Sequence, residues 1–578
     1  MRTDTARRLL AGASTALLSL TLAGPASAAV GELDPLFGTG GATFVDFDAA
    51  GEDNAFAVAL DPQGRTVVAG GNRTTGSFQF QLARLGTDGA LDGGFGTGGR
   101  VTTPMGDAGG TVRALATLAD GSVIAAGDAS DDANPEPYFA LAKYTPAGEL
   151  DAAFGPEETP GRVLTEIGPW TSEMGGDTKV ADIAVLPGGD ILVAGTAHYN
   201  DFLTRMVVAR YEADGRLDTG FGIGGVATVQ APEYGYSIEA GALAVQSDGK
   251  IVVGGTDFHG AGEDFALVRL EADGDVDDTF GGGSGYVLTR MTPAAFTEYY
   301  RDRLTDLAID DAGRIVAVGV SDHADHEDAI ARYGSDGDLD TDFGTGGRVR
   351  VERDGYSEAR TVATLPGGAV LTGGYSGGGD SSAVLARFTA TGAPDATFGT
   401  GGATTFAPGT GAHEIEALAV SADGTRAVAA GSDSAAFLVT RATLAAADGP
   451  LVEDDEPQQQ PPVQQEQQPP ARQPAPPVVT TPVPAAPRVT PTPRAATQRS
   501  RRCTSRRQFT ITPRHLGLRR VRVAALGRAG RRAAVRVRAG KVAVDLRRLP
   551  AGTYRVRLTG RTKSGAARTV TKTYRTCG

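Results

Sequence analysis

The chain has 578 residues, 40% of them hydrophobic and 6% aromatic, with 81 Gly, 2 Cys and a formal net charge of −14. That length exceeds one compact domain, and the apolar share supports large cores, which excludes a globally disordered chain. Glycine at about twice its usual ~7% has no collagen period and points to many tight turns, while two cysteines cannot build a disulfide scaffold or a Cys-rich zinc site. Charge is divided between segments: residues 29–447 carry 25 basic and 61 acidic side chains, residues 501–578 carry 23 and 1. Two oppositely charged modules share the chain.

Residues 1–28 place Arg2, Arg7 and Arg8 before an apolar stretch from Leu9 to Leu22, then Gly24-Pro25 and Ala26-Ser27-Ala28. This predicts a cleaved secretory signal peptide. The apolar stretch is shorter than the ~20 residues of a membrane span, so the mature chain is expected to have no transmembrane segment and to be secreted or associated with the cell surface. The general secretory route is favoured; Arg7-Arg8 also partly fits a twin-arginine signal, which leaves the route open.

From Phe37 onward a Phe-Gly motif, usually preceded by Leu-Asp, recurs at Phe95, Phe154, Phe221, Phe280, Phe343 and Phe398. The spacing averages about 60 residues. Each unit holds four apolar or alternating runs, in the first unit Ala55 to Leu60, Thr66 to Ala69, Phe78 to Leu85 and Arg100 to Thr103, separated by turns such as Pro62-Gln-Gly64 and Thr87-Asp-Gly89. Short runs punctuated by Gly and Asp predict strands A to D of an all-β architecture. Units such as Ala209-Arg-Tyr-Glu-Ala-Asp-Gly-Arg-Leu-Asp-Thr-Gly-Phe-Gly222, followed by Ala244-Val-Gln-Ser-Asp-Gly-Lys-Ile-Val-Val-Gly-Gly255, resemble the bacterial delta-60 repeat over about residues 30–445. The resemblance implies a β-propeller and implies no activity. The first copy has only its last element, Leu33 to Phe47, and the last copy, Ile415 to Leu444, lacks that element. A seven-bladed β-propeller over 29–447, closed by the N-terminal strand, resolves both deficits; a linear solenoid would leave open edges.

Strand order puts the A–B and C–D turns on one rim and the B–C and D–A loops on the other. The first rim carries Asp-Gly turns such as Asp214-Gly215, whose residues satisfy turn geometry and are too sparse for calcium loops. The second varies in length and collects Trp170, Tyr199, Tyr234, Tyr236, Phe296, Tyr299, Tyr300 and Tyr356. Rigid amphipathic aromatics on loops point to a ligand-binding face, although each ring can equally cover its own loop. At the mouth of the central channel the starts of the A strands bring Arg113, Lys179, Glu239, Arg303, Asp306, Arg360 and Glu416 together, a mixed-charge ring suited to a polar ligand or to a solvated lining. Five histidines, His198, His259, His323, His326 and His413, fall on the same rim, but loop spacing gives them no fixed geometry, so no metal site and no cofactor is expected. Nucleophile-elbow, zinc-helix and phosphate-loop motifs are missing, and Phe95-Gly-Thr-Gly-Gly99 has no following helix for a dinucleotide.

Residues 448–500, rich in Pro and Gln, read as a disordered linker that cannot bury a core. Residues 501–578 alternate apolar residues with Arg, as in Val535-Arg-Val-Arg538 and Tyr554-Arg-Val-Arg-Leu558, and predict a small β-sandwich. The Leu549-Pro-Ala-Gly-Thr-Tyr554 segment resembles small Ig-like domains of secreted actinobacterial proteins. Cys503 and Cys577 bracket the module and, after export, are expected to form a disulfide. Few aromatics and export argue against nucleic acid; anionic wall polymers, glycans or surface proteins fit better. The reading is a monomeric, exported, non-catalytic binding or display protein; the alternative is a secreted glycosidase- or lyase-like enzyme using paired carboxylates on the rim.

Overall fold

The computed structural model describes residues 28–445, apart from 48–52, 73–78, 107–108, 131–137, 168–177, 201–202, 232–235, 261, 293–298, 323–325, 354, 379–380, 409–411 and 434–435, together with strands between 508 and 576; for 199–200 and the C-terminal strands it describes the backbone alone. Residues 1–27, the 448–500 linker, and Cys503 and Cys577 lie outside the described residues. The chain divides into two compact units, Met1–Gln459 and Gln460–Gly578.

The first unit is all-β and propeller-like. Alternating apolar runs pair into antiparallel four-strand arrays spanning 53–103, 109–165, 179–229, 237–289, 300–351 and 357–406, and a seventh is made of three strands within 414–443 plus Ala42–Val45. In this last array Ala42 to Val45 pair with Thr440 to Phe437. The fourth and fifth arrays are joined where Gly262 and Glu263 pair in parallel with Tyr300 and Arg301. The leading strand of each array packs against those before and after it, and Glu414–Val420 packs against Asp53–Leu60. Third strands such as Phe80–Leu85 are buried throughout, because mid-sheet residues are covered on both faces. The cores lie between successive arrays, for example Phe139 and Leu141 against Ile183 and Val193. A further core packs Phe37, Val45 and Val68 against Val428 and Phe437, from opposite ends of the repeats.

Every leading strand has one β-bulge, at Phe56, Arg113, Ala181, Gly241, Thr305, Arg360 and Glu416. A bulge bends the strand and turns an extra residue out of the ladder. It also presses the carbonyl two residues earlier onto the second strand, so a Cβ at Gly195 or Gly255 would overlap the oxygen of Lys179 or Glu239. This close approach explains the glycine that ends each Val-Val-Ala-Gly type run.

The Phe-Gly motif is a clasp between arrays. A basic residue of the third strand pairs with the Asp that precedes Phe-Gly: Arg84 Nε with Asp92 at 2.8 Å, Arg332 Nε with Asp340 at 2.8 Å, Arg387 Nε with Asp395 at 2.8 Å. Its guanidinium lies over the buried Phe ring, 4.4 to 5.0 Å from the centroid at Phe95, Phe280, Phe343, Phe398 and Phe37. One further nitrogen reaches the next repeat: Arg84 Nη1 donates to Pro146 O at 2.6 Å and Arg387 Nη1 to Leu444 O at 2.6 Å. The glycine amide does the same, Gly96 N to Ala147 O at 2.7 Å. At the chain ends the parts come from both termini: Arg441 pairs with Asp34 at 2.8 Å and donates to Thr87 O, and Gly38 N donates to Asp88 O at 2.7 Å.

The second unit contains two three-stranded antiparallel sheets, ordered Gln508–Ile511, Lys541–Asp545, Ala534–Arg538 and Arg519–Gly527, Gly552–Arg561, Ala567–Thr576.

Candidate functional site

The bulges govern which side chains gather at the beginnings of the leading strands. Arg113 is itself a bulge residue; its Nε donates to Asp128 Oδ2 at 2.9 Å, and its guanidinium stacks 4.7 Å from the centroid of Phe56, the bulge residue of the preceding array. Asp128 also accepts from Val180 N at 2.6 Å, so one half-buried carboxylate holds both the arginine and the neighbouring strand. Burial pushes the Asp128 carboxyl up, while the Arg113 charge pulls it the other way. Beside it opens a cavity of about 360 Å³ lined by Arg113, Lys179, Thr196, His198 and Glu239 over small wall residues. Burial raises the Glu239 carboxyl, against the opposing pull of Lys179, His198 and Arg303.

Of the seven residues read from the sequence as a channel mouth, three, Arg113, Lys179 and Glu239, therefore share one cavity. Arg303 instead joins a network around Glu263, which is 3% exposed: Arg303 Nε pairs with it, Tyr299 Oη donates to it at 3.1 Å, and Arg301 lies 3.7 Å away. Arg360 and Glu416 pair with each other, and Arg360 also meets Glu414 at 3.3 Å and Glu358 at 3.7 Å. Burial disfavours the Arg360 charge, but the three carboxylates outweigh it and hold the guanidinium above its ordinary value. Asp306 follows the bulge and is tied to the next array. Its Oδ2 accepts from Val362 N at 2.8 Å and Thr361 Oγ1 at 3.0 Å, and its Oδ1 from Leu307 N at 2.7 Å. Asp182, which sequence reading missed, makes the equivalent bonds to Leu243 N at 2.9 Å and Ile183 N at 2.7 Å. Burial, then the charge of Asp306, pushes Asp182 up to about 7, and burial pushes Asp306 up to about 6. An Asp at the post-bulge position, where other repeats have Ala or Thr, was the available signal.

The aromatic candidates separate. Tyr299 and Tyr356 are exposed at 56% and 55%. Tyr356 stands edge-on to His326, ring centroids 4.5 Å apart, and His326 Nε2 lies 3.0 Å from Asp322. Tyr236 is half-buried at the edge of a core. Tyr300 is only 4% exposed. Its Oη donates to Asp264 at 3.0 Å, and Arg290 covers its ring at 3.8 Å, so that ring supports the face from beneath. Burial and then Asp264 push the Tyr300 phenol up to about 12. Trp170, Tyr234, Phe296 and His323 lie outside the described residues, as does the side chain of Tyr199. Among the described residues no group of three or more His, Cys, Asp and Glu is arranged to hold a metal ion, and no helix is long and apolar enough to cross a membrane.

The larger hollow, about 720 Å³, lies at the A–B turns, among Asp61, Gln63, Thr87, Asp423, Arg426 and Arg441. Its carboxylates are engaged in their own turns: Asp61 Oδ1 accepts from Gln63 N and Arg65 N, both at 2.9 Å, and Asp423 Oδ1 from Thr425 N at 3.0 Å.

Five segments, 64–95, 118–154, 187–221, 246–280 and 368–398, match the family model of a domain of unknown function (DUF5122) beta-propeller. Each segment ends on the phenylalanine of a clasp, and the delta-60 resemblance is of this kind. Among curated proteins no match is found. A solved structure titled "Structure of Dos1 propeller" aligns at 9% identity and a TM-score of 0.35 over 68% of this chain and 77% of that one.

Proposed function

We propose that the chain is an exported, non-catalytic binding protein. Residues 29–447 form a seven-bladed ring closed by the N-terminal strand and capture a ligand on the face where the leading strands begin. The basic 501–578 module, read as an Ig-like sandwich closed by Cys503 and Cys577, associates with the anionic cell envelope. Ring closure is supported by the joint array of Ala42–Val45 with 414–443 and by the clasp from Arg441 to Asp34 and Thr87. The observation that carries the function is the polar cavity among Arg113, Lys179 and Glu239, together with exposed Tyr299 and Tyr356 at the starts of two further leading strands.

Acid–base catalysis is the weaker reading because of how the carboxylates are used. Asp182 and Asp306, held up to about 7 and about 6, have both oxygens engaged by amides of their own and the neighbouring leading strand. A glycan and wall-polymer binding screen of the full chain, with product analysis of each bound polymer, tests the proposal. Retention of an intact polymer is expected; cleavage of the bound polymer would establish the enzyme instead. For the basic module, salt is expected to release the full chain from cell walls, and a chain ending at residue 447 is expected not to be retained. Retention unchanged in high salt would refute electrostatic association.

A further inference from the structure

We propose that the cavity between the leading strands of the second, third and fourth arrays is a site for a sugar acid, whose carboxylate meets Arg113 and Lys179 and whose hydroxyls meet Glu239, Thr196 and His198. This rests on reading that face as the ligand-binding one and names the ligand's chemistry.

The hollow exists because of what occupies the bulges. Four of the seven bulge positions carry long side chains, Phe56, Arg113, Arg360 and Glu416, whereas the third and fourth arrays carry Ala181 and Gly241. Both line the cavity. Its volume, about 360 Å³, falls within the roughly 300–1,000 Å³ of small-molecule sites.

Arg113 is arranged for recognition before any ligand arrives. Asp128 holds its Nε and Phe56 supports its face, and among the described residues neither Nη has a hydrogen-bond partner. A guanidinium anchored in this way presents a planar fork that matches a carboxylate bidentately and loses little freedom on binding. The Asp128 carboxylate is consumed by Arg113 and Val180 N, which leaves Glu239 as the acid facing the ligand among the described lining residues.

Glu239 decides between a hydroxy acid and an amino acid. Lys179 and Arg303 act on it from the cationic side and, among the described residues, Glu263 acts on it from the acidic side. A ligand ammonium would meet Arg113 and Lys179, which line the same cavity, whereas hydroxyls donate to Glu239 without adding charge. The remaining wall, Val180, Ala181, Ala240 and Gly241, is too small to grip an apolar tail.

Calorimetric titration of the full chain with D-glucuronate, D-glucose and L-alanine tests the assignment. Glucuronate is expected to bind at least about tenfold more tightly than either of the others, the order of one charge-assisted contact. Arg113→Gln is expected to remove that preference. Because Gln at 113 also strips Asp128 of its partner, Ala181→Leu provides an independent arm: a long side chain is at home at the equivalent bulges, so the melting temperature should hold while glucuronate affinity falls about tenfold or more. Glucose or alanine binding as tightly as glucuronate, or affinity unchanged in a folded Ala181→Leu, would overturn the proposal. Polymer capture without glucuronate binding sinks the sugar-acid site and leaves the capture reading standing; absence of both sinks both.

Discussion

Replacing Asp34 by alanine removes the carboxylate that Arg441 holds through two nitrogens, Nε at 3.0 Å and Nη2 at 2.8 Å, and that Arg426 approaches at 3.5 Å. The Arg441 and Asp34 side chains are each only 9% exposed. Burial pushes the Arg441 guanidinium below its ordinary value, and Asp34 is the chief group pulling it back. Without that partner a nearly buried charge keeps the Thr87 carbonyl and the Phe37 ring, so the expected loss is about 3–5 kcal/mol. An exposed pair sets the scale: Asp214 and Arg216 lie 2.9 Å apart at 40% and 77% exposure, and Asp214→Ala should cost below about 1 kcal/mol. Asp340→Ala, which opens an internal clasp, should resemble Asp34→Ala if the terminal clasp is one of seven equal joints. Urea unfolding of the full-length variants, followed by far-ultraviolet circular dichroism, measures all three. Hydrogen exchange at Ala42–Val45 reports whether that strand is released first. A midpoint for Asp34→Ala indistinguishable from that of Asp214→Ala, with slow exchange retained in Ala42–Val45, would refute the reasoning.

Asp182 and Asp306 are raised in the folded chain to about 7 and about 6 from an ordinary 3.8, so between roughly pH 4 and 7 the folded state holds more protons and stability falls as pH rises. Each keeps part of its surface open to water, so the combined loss should be about 2–4 kcal/mol; urea midpoints at pH 4.5 and 7.5 should show it and Asp182→Asn should flatten it, whereas a midpoint rising over that range would contradict it. Gly89 sits at φ +81° with room for a Cβ blocked by Gly38 N and the Phe37 ring, whereas Gly40, at φ +65°, has nothing within 4 Å. Gly40→Ala should therefore cost about 1 kcal/mol and Gly89→Ala clearly more, about 2–4 kcal/mol, in the same unfolding assay; equal costs would deny the inter-repeat contact. Tyr144 Oη donates to Thr103 Oγ1 at 2.9 Å in a buried position, so Tyr144→Phe should lose about 1 kcal/mol, and no loss would show that bond to be silent.

Architecture was legible because it is repeated. Strand order A to D, the truncated copies at Leu33 to Phe47 and Ile415 to Leu444, and the pairing of one with the other are all written in the period. The clasp was visible only in part. Asp-Gly turns were read as local geometry, which they satisfy, but Gly89 is also the surface on which the preceding Phe37-Gly38 rests, a relation between residues that no local pattern displays. The site was less legible for a related reason. One bulge residue per leading strand offsets the simple alternation, so Asp306, placed at the mouth by counting, is instead bound to Val362 N, and Arg303 turns to Glu263. Tyr299 and Tyr300 are adjacent letters on opposite sides of a strand start, one exposed and one covered by Arg290.

The bond between Arg441 and Asp34 joins residues 407 positions apart. At about 5–20 residues per second, the ribosome needs about 20–80 s to supply the arginine after the aspartate has emerged. For that interval Ala42–Val45 has no sheet to join and Phe37 no guanidinium above it, while the clasps of the first five arrays can form one after another and the sixth waits for Leu444. Completion of the seventh array is therefore a late event in the life of each molecule, and the interval before it is when an unpaired strand end is most open to a neighbour's edge or to a chaperone.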